Sequence, residues 1–252
     1  MTPETKKVIY TILKDCVDRT FLRIADKEST NKIRKPFHEA LLARDFVRLS
    51  AFERSFSTSF GQHAVEEISK VIAQGNGFEA TRQKTTYVSI FRGAIDEIER
   101  ICSELRSGIR KPSWNTELSH IAAHNKGTTE SRRVISDLWI RKNEVEHYFS
   151  IKTVRPNLDQ TETAKRDMLL LKAHNINFHT YVALYYNPDG ENKADYNHSF
   201  AKKIFDTAND TSFLIGKDYW DFLGGDGTYE NLLIIFEEVG QDTRKRLLPK
   251  EL

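Results

Sequence analysis

The chain has 252 residues, of which 39% are hydrophobic and 29% are charged, and its formal net charge is +2. This length allows a substantial buried core, in one large domain or in two packed lobes. The composition is ordinary for a soluble globular protein, and the absence of any apolar run of about 18 residues argues against a membrane span. The two cysteines, Cys16 and Cys102, have no metal-binding spacing, so a cytoplasmic protein is expected.

The near-neutral charge neither requires nor excludes a nucleic-acid partner. Basic residues occur in small groups such as Arg132/Arg133 and Arg244/Lys245/Arg246. Each group alone is typical of a solvated surface, but several groups gathered on one face would neutralise phosphates. An enzyme that cuts DNA also carries acidic groups for its metal, so balanced charge fits such an enzyme better than a passive DNA binder.

The first 130 residues are predicted to be mainly helical. Apolar residues at helical spacing predict helices over 6–25, 36–60, 61–74 and 88–108. Proline at the first position of the second helix and glycines after the third and fourth are the expected start and stop signals.

From Val134 the apolar period changes from about 3.6 to about 2 residues. The runs 134–141 and 145–154 are β-rich and separated by three polar residues, which predicts a β-hairpin. Pro156 ends the second strand, and a helix is predicted over 159–174.

A third strand over 176–188 and a final helix over 230–248 complete the pattern. The order of helices, hairpin, helix, strand and helix predicts an α/β fold with a mixed central sheet flanked by helices and a helix-rich N-terminal half. No linker is evident, so we expect a single domain over 1–252, with a mainly helical part at 1–130 and the hairpin, sheet and C-terminal helices at 131–252.

The two strands of the hairpin each carry one unexpected charge, Asp137 in the first and Lys152 in the second. Side chains two apart on a strand share a face, so Ser150 and Lys152 point the same way and Asp137 can meet them from the neighbouring strand. A charge buried there needs a partner, so the pair is either a structural ion pair or a catalytic couple. Phosphodiester hydrolysis uses such a couple, because carboxylates hold a divalent cation and an ammonium orients the attacking water.

Asp137, followed 15 residues later by Lys152, resembles the active-site pattern of PD-(D/E)xK nucleases. The segments "YFSIKTVRPNLDQTETAKRDMLLLKA" and "GKDYWDFLGG" resemble the TdeIII family of Type II restriction endonucleases. This resemblance implies a restriction-endonuclease-like core and Mg²⁺-dependent cleavage of double-stranded DNA, at a GGNCC-like target, leaving 5′-phosphate and 3′-hydroxyl ends. It further implies that Asp137 binds Mg²⁺ with help from the Ile151 carbonyl, and that Lys152 positions or activates the attacking water. A palindromic target is matched by two-fold symmetry, so a homodimer is expected.

The sequence departs from the nuclease pattern at Ser150, where the pattern carries a carboxylate. Some enzymes of the superfamily take this acid from the following helix, but Lys165 and Arg166 occupy the corresponding positions here. Asp167 is the next residue and lies beside an apolar helical stripe, so we expect it, ahead of Glu162, to supply the acid. Ordinary helix ion pairing remains the alternative for both.

A further acid is expected from the helix at 61–74. On a helical wheel Glu67 flanks the stripe of apolar residues, whereas Glu66 falls almost opposite and is expected to face water. Glu67 is therefore the predicted metal-facing glutamate, directly or through water, and the alternative is that both are surface charges.

Other functions fit parts of the sequence. His120 and His124 are four apart, but Ile121 stands where a zinc protease would carry glutamate. A repair or junction nuclease on the same core would prefer branched or damaged DNA. A non-catalytic DNA-binding protein with an eroded nuclease fold is consistent with Ser150, and a helical interaction protein with a structural hairpin would show no salt-dependent DNA affinity.

Overall fold

The computed structural model describes residues 1–29 and 35–247, without the side chains of 27–29 and Gln62. The chain forms two compact units, one from residues 1–71 with 229–252 and one from residues 72–228. The single domain expected over 1–252 stays a prediction. None of the helices in the described part of the chain is long and apolar enough to cross a membrane.

The first unit is helical. Its elements are α1 (Pro3–Ser29), α2 (Pro36–Leu41), α3 (Arg44–Ser59), a π-helical turn (Phe60–Ala64), most of α4 (Val65–Gly75) and α10 (Thr228–Leu247). A chain of aromatic contacts runs through its core, from Phe21 and Phe52 to Phe60 and Phe236.

The prediction of one continuous helix over 36–60 is wrong. Leu42 and Ala43 adopt extended backbone, so the segment forms two helices, α2 and α3. No residue of α2 is buried, so no packing favours continuation of the helix across this break. The predicted helices at 6–25 and, as far as Leu247, at 230–248 are confirmed.

The second unit contains a mixed five-stranded sheet in the order β1-β2-β3-β4-β5. The first three strands are antiparallel, and β3, β4 and β5 are parallel. The strands are β1 (Glu79–Phe91), β2 (Thr129–Lys142), β3 (Val145–Lys152), β4 (His179–Leu184) and β5 (Phe213–Ile215). The predicted α/β fold with a mixed sheet is confirmed.

Helices flank this sheet. They are α5 (Arg92–Ser107), α6 (Trp114–Ala123), α7 (Leu158–His174), α8 (Ser199–Ile204) and α9 (Lys217–Gly224), with a short 3₁₀ turn at Lys193–Asp195. The main core cluster joins α5 and α7 to one sheet face, which includes Trp139, Tyr148 and Val182. Phe149, on the other face, contacts Tyr219 and Phe222 of α9.

The long strand β1 was missed by the sequence analysis, and the helix predicted from Val88 begins only at Arg92. Val88 and Ile90 are buried in the core, but as alternate residues of a strand. Thr85, Thr86 and Tyr87 before them favour a strand, but Val88 and Ile90 also fit the start of the helical stripe that follows. The strand β5 was also not predicted.

The predicted hairpin of β2 and β3 is confirmed. Asn143 and Glu144 connect the strands with φ angles of 49° and 62°. Two central residues with positive φ form a type I′ turn, whose twist matches that of the flanking strands. This turn fixes the register that brings the two charged residues of the hairpin towards each other.

Candidate active site

Asp137 lies where the pairing of β2 is interrupted on both sides. Towards β1, Ser136 and Leu138 are paired but Asp137 between them is not. Towards β3, the antiparallel ladder ends at Leu138 and Phe149. The side chain of Asp137 is 21% exposed, so its carboxylate is accessible at the point where the strands separate.

Two groups of β3 bind this carboxylate. The backbone N–H of Ile151 donates to Oδ2 of Asp137 at 2.7 Å, and the Lys152 ammonium donates to the same oxygen at 3.3 Å. The N–H and C=O of one strand residue point to the same edge, so the Ile151 carbonyl also faces the side where the ladder has ended. The structure therefore brings together Asp137, Ile151 and Lys152, the three residues singled out on the hairpin.

The helix α7 begins with a capping box. The N–H of Gln160 donates to the side chain of Asn157 at 2.8 Å, and the N–H of Asn157 donates to the side chain of Gln160 at 3.2 Å. These two bonds satisfy backbone donors that a helix start leaves free. The polar "PNLDQ" segment therefore fixes where α7 begins.

Asp167 of α7 lies within electrostatic range of the hairpin charges. Burial raises its pKa to about 6, the charges of Lys152 and Arg166 act to lower it, and the charge of Asp137 raises it further. The stripe beside which it was predicted to lie is indeed buried, since Ala164, Met168 and Leu171 belong to the core. The charges of Asp137 and Lys152 therefore both act on the Asp167 carboxyl group.

Glu162, the alternative acid, is held by two arginines. It accepts hydrogen bonds from Arg106 at 2.6 Å and from Arg166 at 2.7 Å. This is the helix ion pairing that the sequence left open for it.

Lys165 stands at a position of α7 where some nucleases of the superfamily carry the acid, and here it has a different role. Its side chain is fully buried, and its Nζ contacts the fully buried Oε2 of Glu117 at 2.5 Å. The two atoms form an ion pair without the angles of a hydrogen bond. The ammonium also lies 4.8 Å from the ring centres of Trp114 and Phe205. This position of α7 serves packing against α6 and α8.

The loop between β3 and α7 is fixed by residues that the sequence left uninterpreted. The hydroxyl of the buried Tyr196 donates to the Val154 carbonyl at 2.9 Å. His198 Nε2 lies 2.8 Å from the Pro156 carbonyl oxygen. Both contacts join segments about 42 residues apart, and no local pattern predicts them. They hold the chain immediately after Lys152.

The structure contradicts the exposure expected for Glu66 of α4. Glu66, expected to face water, is 7% exposed, whereas the side chain of Glu67 is 32% exposed and pairs with Lys70 at 3.4 Å. Ser69 is fully buried, and its hydroxyl donates to the Val65 carbonyl. The buried side of α4 therefore includes Ser69 and extends to Glu66. Glu67, at intermediate exposure, lies at the border of the buried face, and its role at the site stays a prediction.

His120 and His124, at the end of α6, both contact neighbouring protein groups. His124 Nδ1 lies 2.7 Å from the His120 carbonyl, and His120 pairs with Glu97 at 3.4 Å. Over the described ranges 1–29 and 35–247, no group of three or more His, Cys, Asp or Glu side chains is arranged to hold a metal ion.

The donors at the end of the hairpin nevertheless suit one kind of metal. Mg²⁺ binds oxygen and usually takes one or two carboxylates, with water and substrate completing its shell. Asp137, Asp167 and the Ile151 carbonyl supply oxygen donors of this type. The site therefore fits Mg²⁺ by its chemistry.

The sequence matches one family model over most of its length. The family is described as "Type II restriction endonuclease, HinfI", and residues 1–240 are matched.

Curated relatives are enzymes of the same type. The type II restriction enzyme HgiCII of Herpetosiphon aurantiacus is 32% identical, over 86% of this chain and 82% of the enzyme. HgiBI of the same organism is 30% identical, over 82% of this chain and 77% of that enzyme. MjaII of Methanocaldococcus jannaschii is 26% identical, over 95% and 72% respectively.

Proposed function

Because the chain belongs to the HinfI family of type II restriction endonucleases, we propose that it hydrolyses phosphodiester bonds of double-stranded DNA at the end of the β2–β3 hairpin, with Mg²⁺ as its cofactor. The observation that carries this proposal is the binding of one Asp137 oxygen by both the Ile151 N–H and the Lys152 ammonium. Both side chains are 21% exposed, so the pair is accessible from solvent.

The residues proposed to hold the metal are Asp137, Asp167 and the carbonyl of Ile151. When bound, the cation would neutralise charge on the scissile phosphate and lower the pKa of a water molecule. Glu67 is the candidate for a further acid, acting directly or through water.

Lys152 is proposed to position the attacking water and to stabilise developing negative charge. An ammonium has three N–H donors, and only one is needed for the bond to Asp137. The others are available to water or to a phosphate oxygen. The bond to Asp137 holds the Lys152 ammonium at the site. General acid–base chemistry requires such a fixed position of the group that transfers the proton.

The finer features of the reaction are proposed from the sequence resemblance. They are a GGNCC-like palindrome, 5′-phosphate and 3′-hydroxyl ends, a homodimer with one site per strand, and action in the cytoplasm. The match between palindrome and two-fold symmetry supports the homodimer.

Plasmid cleavage in Mg²⁺ tests the proposal. Asp137→Asn and Lys152→Met should each reduce the cleavage rate by about 100-fold or more, because each removes a charge that the transition state uses. DNA binding measured in Ca²⁺ should be retained.

Matched controls make the same chemical changes outside the site. Asp159→Asn and Lys202→Met alter exposed side chains and should cleave at the wild-type rate. Folded Asp137 and Lys152 variants that cleave like wild type would show that the reaction occurs elsewhere. Sequencing the fragment ends tests the GGNCC-like target separately.

A further inference from the structure

The strand β1 places a residue with unusual backbone directly opposite Asp137. In the antiparallel register Arg82 pairs with Leu138 and Lys84 with Ser136, so Gln83 stands opposite Asp137. Gln83 has a φ of 50°. Left-handed backbone is uncommon for a residue other than glycine, especially inside a strand, and costs conformational energy.

This backbone reverses the sides to which β1 directs its side chains. Ala80 and Val88 are an even number of residues apart, so an unbroken strand would direct both to one face. Val88 belongs to the core cluster under α7, together with Trp139, whereas Ala80 is buried outside that cluster and lies opposite Ile140 of the other face. The reversal occurs around Gln83.

The strand β2 reverses at the same level. Val134 and Trp139 both belong to the core cluster under α7 although they are an odd number of residues apart. The reversals in the two strands leave the register unchanged on both sides and omit only the Gln83 and Asp137 positions from the pairing. The distortion is therefore confined to the residue that carries the candidate catalytic carboxylate and to the residue opposite.

The side chain of Gln83 reaches the carboxylate that the distortion exposes. Its Nε2 lies 3.5 Å from Oδ1 of Asp137, a long hydrogen bond. The other oxygen, Oδ2, receives the Ile151 N–H and the Lys152 ammonium. The three strands β1, β2 and β3 thus each contribute to the orientation of one carboxylate.

We propose that Gln83 is a positioning residue of the active site, whose side-chain amide orients the Asp137 carboxylate towards the metal. This inference rests on the proposed function. Residues that orient a ligand typically change metal affinity or activity by about 10- to 100-fold when replaced.

The decisive variant is Gln83→Gly. Glycine adopts positive φ without strain, so this change removes the amide while preserving the backbone. The single-turnover cleavage rate should fall about 10- to 100-fold, and the affinity for Mn²⁺ alone, measured by calorimetry, should fall by at least about 10-fold. DNA affinity in Ca²⁺ should be unchanged.

Two further variants separate the amide from the backbone. Gln83→Asn keeps a residue that tolerates positive φ but shortens the side chain by one methylene, so it should lose as much as glycine. Glu144→Gly makes the same kind of replacement at the hairpin turn, where φ is 62°, and should match wild type in both measurements.

The outcomes distinguish this inference from the proposed function. If Asp137→Asn and Lys152→Met abolish cleavage while Gln83→Gly cleaves and binds Mn²⁺ like wild type, the role of Gln83 is refuted and the proposed function stands. Loss of cleavage in Gln83→Gly with unchanged Mn²⁺ affinity also refutes it. If Asp137→Asn itself cleaves normally, the proposed function fails first.

Discussion

At the scale of single residues, the two candidate acids of α7, Glu162 and Asp167, differ in their surroundings. Glu162 is paired with Arg106 and Arg166, whereas Asp167 has a pKa that burial raises to about 6 and is affected by the charges of Lys152 and Asp137. A carboxylate that is desolvated beside a second carboxylate gains most from a bound cation.

Replacement of the two acids should therefore have opposite consequences. Asp167→Asn should reduce the rate of plasmid cleavage by about 100-fold, by analogy with the loss of one charge-stabilising group. Its free energy of unfolding at pH 8 should be equal to that of wild type or higher, because a folded pKa above the ordinary 3.8 means that ionisation opposes folding.

The matched control for Asp167 is Glu162→Gln, the same chemical change one and a half turns earlier on α7. It should cleave at nearly the wild-type rate while unfolding at lower urea concentration. The opposite pattern, with cleavage lost at Glu162 and kept at Asp167, would move the acid to Glu162.

A site residue could be predicted where the neighbouring sequence alone marks it as unusual. Asp137 and Lys152 stand out because a charge in an apolar strand needs a reason, and a hairpin brings its two strands together by geometry alone. Gln83 gives no such signal, since an exposed polar residue is ordinary and its left-handed backbone is invisible in the sequence. The burial of Glu66 could not be predicted, because the buried side of α4 includes Ser69, whose hydroxyl bonds to its own helix, and a serine gives no such signal in the sequence.

At the scale of elements, α7 carries both the candidate acid and a buried ion pair. Lys165 and Glu117 are both fully buried, so each neutralises a charge that would otherwise be costly in that position. Glu117 also accepts the N–H of Ser113 at 3.0 Å, at the start of α6.

Removing one partner of this pair should destabilise the protein strongly. Lys165→Met should lower the free energy of unfolding, measured in urea, by about 3–5 kcal/mol, because it leaves Glu117 charged and uncompensated. The double variant Lys165→Met with Glu117→Gln should recover most of this loss, since glutamine keeps an acceptor for Ser113. Simple addition of the two single effects would contradict the coupling.

The elements were predictable to the extent that their patterns were periodic and uninterrupted. The hairpin, α7, β4 and the terminal helices were placed correctly, and the predicted class of type II restriction endonuclease is confirmed, although the matching family is HinfI rather than TdeIII. The strand β1 pairs with β2 across the intervening helices α5 and α6, so no neighbouring strand in the sequence indicates it, and its apolar end runs directly into the stripe of α5.

At the scale of the whole molecule, a buried histidine should link stability to pH. His147 is 8% exposed, lies 3.2 Å from the Tyr181 hydroxyl and stacks on His179. Burial lowers its pKa to about 4, with smaller contributions from the charges of His179 and Lys142. The unfolded chain therefore binds this proton more tightly than the folded protein does.

Stability should consequently be lost as the pH falls from about 6.5 towards 4. Between pH 7 and pH 4.5 the free energy of unfolding should fall by about 2 kcal/mol more in wild type than in His147→Phe, which keeps the aromatic contacts without the titrating group. Urea titrations of both proteins at the two pH values measure this difference. Identical pH dependence in the two proteins would show that His147 is not the group responsible.

The buried ion pair of α7 has a consequence for the direction of its neighbour. Lys165 and Asp167 are two residues apart, which places them about 200° apart around the helix axis. Any turning of α7 about its length that swung the aspartate away from the hairpin would also pull the lysine out of its contact with Glu117. The rotation of α7 about its axis is therefore fixed by a contact on its other side, so the direction of the Asp167 side chain depends on a fully buried lysine.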